Sequence, residues 1–195
     1  DQKAFVNQRE IGIDTPDFPS ALRAMLREDP DVVLLGEMRD PETFEAALQA
    51  AETGHLVFGT IHASTAPQTI SRITELFPIE RRNQILQTLA FTLQAIVCQK
   101  LLPSCKEGVS RVPSVEIMRN NSVVCDLIAQ GREADLPTVI RSSELDGMLS
   151  FNSSLMKLIE TDMIDPKTAY AVSPNADELK MLMKGITTST GGLIG

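Results

Sequence analysis

The clearest pattern in this sequence is a pair of short, mostly apolar runs, residues 32–35 and 56–61, each followed at once by polar residues. Neither run alternates between apolar and polar positions, and both are rich in leucine and β-branched residues. Runs of this kind are typical of strands in parallel sheets that are covered by helices. The pattern therefore predicts two strands that are buried on both faces.

Helical signals precede and separate the two runs. Apolar residues recur at helical spacing from Phe18 to Leu26, beside prolines that suit a first helical turn. Asp40 and Pro41 predict the capped start of a second helix, and Gly54 predicts its end. Because helices and strands alternate, the connections are crossovers, and we predict an α/β fold with a mostly parallel sheet flanked by helices.

The next segment continues this predicted core to residue 119. Thr65 and Gln68 have the spacing of a helix capping box. The apolar positions that follow predict one long helix over residues 81–102. Residues 109–118 alternate enough to predict a strand, which Pro113 places at an edge or at a bend.

The pattern changes near residue 120. The pattern here predicts a small all-helical C-terminal subdomain, made of short helices, over residues 120–184. The breaks between these helices are predicted around Gly131, Pro137, Gly147, Pro166 and Pro174. Residues 185–195 are rich in Gly, Ser and Thr, and we predict that they are disordered.

Composition narrows the classes of partner and compartment. A net charge of −8 argues against nucleic acid as a partner, because phosphate neutralisation requires a basic surface. No run is long and apolar enough to predict a membrane span. The three cysteines lack C-x-x-C spacing, which favours a reducing compartment over a zinc site or a disulfide framework. The chain begins at Asp1, which we interpret as a boundary inside a larger protein or as an artificial one.

Residues with chemical potential follow both apolar runs. Gly36, Glu37 and Arg39 follow the first run, and His62 follows the second. Ligands of α/β sheets bind beyond the carboxyl ends of the strands, so Glu37 and His62 are predicted to meet at one edge as in a nucleotide-hydrolysing site. Glu37 is suited to order a water or the hydration shell of Mg²⁺ beside a phosphate. Gly36 would let the backbone approach a ligand closely.

Arginines supply candidate phosphate contacts around this edge. Each one is by itself better interpreted as a surface charge, but the set includes candidates for phosphate contacts or for arginine fingers at a subunit boundary. The set comprises Arg9, Arg23, Arg27 and Arg39. No G-x-x-x-x-G-K-[ST] loop occurs in the sequence, so the loop that cradles nucleotide phosphates is missing from these residues. The chain is therefore predicted to hold the hydrolytic half of a nucleotide site.

Together these motifs resemble those of the secretion ATPase superfamily of type II secretion and type IV pili. Residues 31–40 resemble its atypical Walker B box, and residues 53–66 resemble its His box. Residues 7–12, with the nearby Asp14 and Thr15, resemble the end of its Asp box. The resemblance is strongest to the pilus retraction branch and implies that the chain is the C-terminal part of a RecA-like P-loop NTPase core.

This resemblance also implies roles for the site residues. Glu37 would be the catalytic glutamate that activates the attacking water, and it would hold Mg²⁺ through water. His62 would sense the γ-phosphate, and Arg39 would support the site or the contact between subunits. The positions expected to help bind the nucleotide are Gly36, Arg9 and Asp40.

The family resemblance further implies a setting for the protein. Members use ATP and Mg²⁺, assemble as cytoplasmic homohexameric rings, and act at the inner face of the bacterial inner membrane. They are peripheral to that membrane and drive pilin extraction through an inner-membrane platform protein. No nucleic acid is expected among the partners.

Two departures from the family pattern keep alternatives open. The C-x-x-C zinc element usual in assembly and secretion members is absent from this sequence, which favours the retraction branch. Retraction members carry the motif Ala-Ile-Arg-Asn-Leu-Ile, and the matching residues 123–128 have Cys125 and Asp126 where that motif has Arg and Asn. Three interpretations follow: half of a pilus retraction ATPase, half of a type II secretion or pilus assembly ATPase, or a non-catalytic module that interacts with a ring.

Overall fold

The computed structural model describes residues 3–185, and the chain divides into two compact units. Within the described residues, the first unit comprises residues 3–62 and 71–92, and the second comprises residues 63–70 and 93–185. Residues 186–195 of the predicted disordered tail lie outside the described residues. The domain boundary predicted at residues 119–120 stays a prediction.

The first unit alternates helices and strands. Its elements are α1 (Phe18–Met25), β1 (Val32–Leu35), α2 (Pro41–Glu52), β2 (Leu56–Gly59), the end of α3 (Ala66–Glu75) and α4 (Ile79–Thr92). Strands β1 and β2 pair in parallel, with Val32 opposite Leu56 and Leu35 opposite Gly59. The crossover inferred from the alternation of helices and strands is therefore confirmed for this pair.

Local capping signals set the ends of α1 and α2. The Asp17 carboxylate accepts a hydrogen bond from the Ser20 backbone N–H at 2.7 Å, and Asp40 accepts one from the Thr43 N–H at 2.8 Å. Each carboxylate satisfies a donor that the first helical turn leaves without a partner. Gly54 follows α2 with a φ of +97°, the left-handed conformation that glycine adopts without strain. The helix starts and the end at Gly54 are confirmed.

The prediction that both strands are buried on two faces is wrong. Val33 and Leu35 are buried, whereas Leu34 is 74% exposed and Phe58 of β2 is also exposed. Side chains of α1 and α2 pack against one face of the pair, and the opposite face is exposed in the described part of the chain. The core of this unit contains Leu22, Val33, Leu35, Ala47 and Ala50.

The second unit joins an antiparallel hairpin to a series of short helices. Besides the start of α3, its elements are β3 (Ala95–Pro103), β4 (Arg111–Arg119), α5 (Ser122–Ala129), α6 (Leu136–Ser142), α7 (Phe151–Glu160), α8 (Pro166–Val172) and α9 (Ala176–Met183). The short helices predicted after residue 120 are confirmed. Gly131 and Gly147 have φ angles of +65° and +83° and interrupt the helical path as predicted.

The long helix predicted over residues 81–102 is wrong. Helix α4 ends at Thr92, and β3 begins at Ala95. Along β3, Ile96 and Cys98 are buried while Val97 between them is exposed, which is the period of a strand. A short apolar run fits either period, and here pairing with β4 decides it, from Ala95 opposite Arg119 to Pro103 opposite Arg111.

The described residues thus contain one parallel and one antiparallel pair of strands flanked by helices, and the α/β class is confirmed. Pro113 lies opposite Leu101 in the two-stranded hairpin, as expected for an edge strand. The core of the second unit contains Leu102, Val112, Leu155, Ile164, Ala169 and Leu179. Between residues 3 and 185, no helix combines the length and the apolar character needed to cross a membrane.

We predict that Leu155→Ala lowers the free energy of unfolding by about 2–5 kcal/mol, because it opens a cavity in the core of the second unit. Urea denaturation followed by circular dichroism would measure the loss. Leu145→Ala makes the same chemical change at a fully exposed position and should change the free energy by less than about 0.5 kcal/mol. Equal losses in the two variants would contradict the assigned core.

Candidate active site

The site lies at the edge where β1 and β2 end. Thr60, directly after β2, continues the contact with the segment that follows β1. Its carbonyl oxygen accepts a hydrogen bond from the Met38 N–H at 3.0 Å, and its hydroxyl donates to the Gly36 carbonyl oxygen. The residues on both sides of Glu37 are therefore held against the neighbouring segment.

Glu37 contacts two basic side chains at this edge. Its Oε2 lies 2.5 Å from Nη2 of Arg39, and its Oε1 lies 3.1 Å from Nε2 of His62. The side chain of Glu37 is 27% exposed, whereas those of Arg39 and His62 are 76% and 92% exposed. The structure thus confirms that Glu37 and His62 meet, and it brings the third residue predicted at this site, Arg39, into contact with Glu37.

The surroundings of Glu37 favour its charged form. The hydrogen bond from Arg39 lowers the pKa of Glu37, and the positive charge of Arg39 acts in the same direction. Partial desolvation opposes this shift but is the smaller effect. Glu37 is therefore ionised at neutral pH, the state in which a carboxylate can accept a proton from water.

The other predicted site residues have different surroundings. Asp40 uses both carboxylate oxygens on Thr43, one on the backbone N–H at 2.8 Å and one on the hydroxyl at 2.9 Å. Arg9 forms an ion pair with Glu28 at 2.5 Å and is not among the ion-pair partners of Glu37. At Gly36, an added Cβ would meet no atom within 4 Å apart from its chain neighbours, so there is open space beside its backbone. The nucleotide-binding roles of these three residues stay predictions.

Within the described residues, side chains alone do not form a magnesium site. Residues 3–185 contain no group of three or more His, Cys, Asp or Glu side chains placed to hold a metal ion. Mg²⁺ coordination usually draws on one or two carboxylates together with substrate phosphates and water. The involvement of Glu37 with Mg²⁺ therefore stays a prediction.

Comparison with known proteins identifies the relatives of this chain. A family model described as "Type II/IV secretion system protein" matches residues 6–189. The chain belongs to this family. The resemblance to secretion ATPases inferred from the Walker B and His boxes is confirmed.

Members of the type II/IV secretion family match this chain over most of its length. A twitching motility protein of Neisseria gonorrhoeae is 40% identical over 178 residues, which cover 91% of this chain and 47% of that protein. The type IV pilus retraction ATPase PilT of Pseudomonas aeruginosa is 41% identical over 168 residues, covering 86% of this chain and 48% of that protein. A crystal structure of the pilus retraction motor PilT with bound ADP matches with a TM-score of 0.77 and 46% identity, covering 89% of this chain and 48% of that one. The chain therefore spans about half the length of these relatives.

One buried carboxylate in the second unit was not assigned a role from the sequence. Glu116 on β4 lies at the start of α3, where its Oε1 accepts a hydrogen bond from the Ala66 N–H at 2.7 Å. Its carboxylate also accepts a backbone hydrogen bond from Phe151 at the start of α7. The signal in the sequence is the alternation of β4, which places Glu116 in register with the buried Ser114 and Met118. A charged residue in the inward register of a strand requires a partner of this kind.

Burial raises the pKa of Glu116, although the backbone hydrogen bonds and the charge of Lys100 partly oppose that shift. A raised pKa in the folded state means that folding favours the protonated form. The stability that protonation contributes is fully present below the usual glutamate pKa of 4.5 and is lost as the pH rises through the folded-state pKa.

We therefore predict that Glu116→Gln, whose side chain does not ionise, removes this pH dependence. As the pH rises from about 4.5, the free energy of unfolding of Glu116→Gln should increase relative to that of wild type. Urea denaturation at a series of pH values would measure it. The exposed Glu107, changed to Gln, is the matched control and should show a smaller pH-dependent difference. A difference for Glu116→Gln that is constant, or that shifts in favour of wild type, would contradict the assignment.

Proposed function

We propose that this chain is the C-terminal half of a motor ATPase that hydrolyses ATP to power type IV pilus retraction. The observation that carries the proposal is the cluster of Glu37, Arg39 and His62 at the ends of two paired parallel strands. Its support comes from membership of the type II/IV secretion family and from the similarity to a twitching motility protein and to PilT.

Each residue of the cluster has a chemical role in the proposed reaction. The ionised carboxylate of Glu37 accepts a proton from the water that attacks the γ-phosphate. His62 lies beside it on the neighbouring segment, where it can detect whether the γ-phosphate is present. Arg39 has an exposed guanidinium, which is suited to a phosphate oxygen or to an adjacent subunit.

The proposed setting follows from the same family relationship. ATP is the proposed substrate, and Mg²⁺ is the proposed cofactor. The intact protein is proposed to form a homohexamer at the cytoplasmic face of the bacterial inner membrane and to act on a platform protein in that membrane. These partners are proposals for the whole protein, of which the chain represents about half by comparison with its relatives.

One observation favours a second candidate function, that of a type II secretion or pilus assembly ATPase. Helix α5 buries Val124, Leu127 and Ile128, while Asp126 is exposed. The buried positions of the retraction motif are thus apolar here, whereas Asp126, which replaces a motif residue, faces solvent. A changed surface at this position would alter the contacts by which a retraction motor delivers its output.

We predict that the chain by itself binds ATP more weakly than the micromolar range and hydrolyses it negligibly, because its sequence contains no phosphate-binding loop. Isothermal titration calorimetry and a phosphate-release assay would measure the two properties. Adding the natural upstream coding sequence, if it supplies that loop, should restore both. Micromolar affinity in the 195-residue chain would show that phosphates are bound by other residues.

In a form that contains the loop, Glu37→Gln should lower the rate of ATP hydrolysis by about 100-fold or more while ATP binding is retained. The amide cannot accept the proton of the attacking water. Glu52→Gln, at the exposed end of α2, is the matched control and should hydrolyse ATP at the wild-type rate. To distinguish retraction from secretion, the form that contains the loop would be introduced into a strain that lacks its retraction ATPase. Restored twitching would indicate retraction. Wild-type turnover in Glu37→Gln would remove Glu37 from the role of base.

A further inference from the structure

Each carboxylate oxygen of Glu37 has a basic partner in the arrangement that the structure shows. One oxygen lies 2.5 Å from Arg39, and the other lies 3.1 Å from His62. A general base must come within hydrogen-bond distance of the water whose proton it takes. Each carboxylate oxygen can accept two hydrogen bonds, so a water can still approach, but pairing with a guanidinium stabilises the charged carboxylate and makes it a weaker proton acceptor. Glu37 therefore becomes a stronger base when its contact with Arg39 loosens.

The backbone around Glu37 is held more firmly than its partners. Thr60 bonds to the residues on either side of Glu37, through the Gly36 carbonyl oxygen and the Met38 N–H. The Met38 side chain packs over Gly59, where an added Cβ would clash with it. The backbone on both sides of Glu37 is therefore held, and we expect a change at the site to come from the side chains.

Arg39 is the partner best suited to leave. Its side chain is 76% exposed and that of His62 is 92% exposed, so exposure does not separate the two partners and their chemistry does. A guanidinium binds carboxylate and phosphate with the same planar set of donors, and it keeps its charge throughout. A polyphosphate carries several negative charges, so it competes effectively with the single carboxylate of Glu37. The neighbouring Asp40 accepts hydrogen bonds from Thr43 through both oxygens, and the ion pair of Arg39 is with Glu37.

We propose that Arg39 exchanges partners during the reaction cycle. Without a nucleotide Arg39 pairs with Glu37, and when a nucleotide binds it moves to a phosphate oxygen, which leaves the Glu37 carboxylate a stronger base toward water. This inference rests on the proposed function, since it assigns a regulatory step to the same site. Arg39 thus keeps Glu37 a weak base until a phosphate is present.

A double-mutant cycle on the form that contains the phosphate-binding loop tests the exchange. The dissociation constants of ATP and of tripolyphosphate would be measured by calorimetry for wild type, Glu37→Gln, Arg39→Gln and the double variant. When Arg39 is present, Glu37→Gln should tighten binding, because the guanidinium no longer has to leave a carboxylate. When Arg39 is Gln, the same change removes only the general repulsion between Glu37 and phosphate. The gain in affinity from Glu37→Gln should therefore be about 3-fold or more larger when Arg39 is present than when it is Gln.

A charge-matched control separates this coupling from net charge. Arg72 on α3 pairs with Glu75 at 3.7 Å, so Arg72→Gln removes one positive charge without touching Glu37. In that background Glu37→Gln should tighten binding as much as it does in wild type. Equal gains with and without Arg39, or no gain at all, would overturn the exchange.

Turnover on the same samples distinguishes failure of the exchange from failure of the proposed function. If Glu37→Gln is inactive but its binding is not coupled to Arg39, the exchange alone is wrong. If Glu37→Gln hydrolyses ATP at the wild-type rate, Glu37 is not the base, and a step that makes it a stronger base is overturned together with the proposed function.

Discussion

Parallel pairing between β1 and β2 is the constraint on which the candidate site depends. The two strands run in the same direction and end side by side, with Leu35 opposite Gly59. The chain therefore leaves both strands at one edge of the pair, and Thr60 keeps the two exits together through hydrogen bonds to Gly36 and Met38. Only for this reason do Glu37 and His62, 25 positions apart in the sequence, lie 3.1 Å apart in space.

Two glutamates show how surroundings divide roles among identical side chains. Glu37 lies at a partly exposed edge beside Arg39, and that hydrogen bond lowers its pKa. Glu116 is buried at the starts of two helices, and desolvation raises its pKa although backbone N–H groups satisfy its oxygens. The first carboxylate is charged and within reach of a ligand, so it is suited to chemistry. The second joins α3 and α7 to β4 and is suited to holding structure together.

Membership of the type II/IV secretion family and the geometry at Glu37 are the two grounds for the proposed function. The family match rests on residues spread along the chain, whereas the geometry rests on three side chains and one pair of strands. In the proposed function, the direction in which the motor works would depend on surfaces instead. On helix α5, Val124, Leu127 and Ile128 are buried while Asp126 is exposed.

The sequence by itself determined the features that depend on neighbouring residues. Asp17, Asp40 and Gly54 set helix ends through contacts within a few positions, and the motifs around Glu37 and His62 indicated the family. Tertiary structure alone decided the rest. Segment 95–103 is a strand because it pairs with β4, although its apolar run also fits a helix. The exposure of one face of β1, the engagement of both Glu37 oxygens and the bond from Ala66 to Glu116, 50 positions away, likewise depend on distant parts of the chain. A local sequence pattern indicates which conformation a segment favours. Its burial and its pairing depend on the distant residues that folding brings into contact with it.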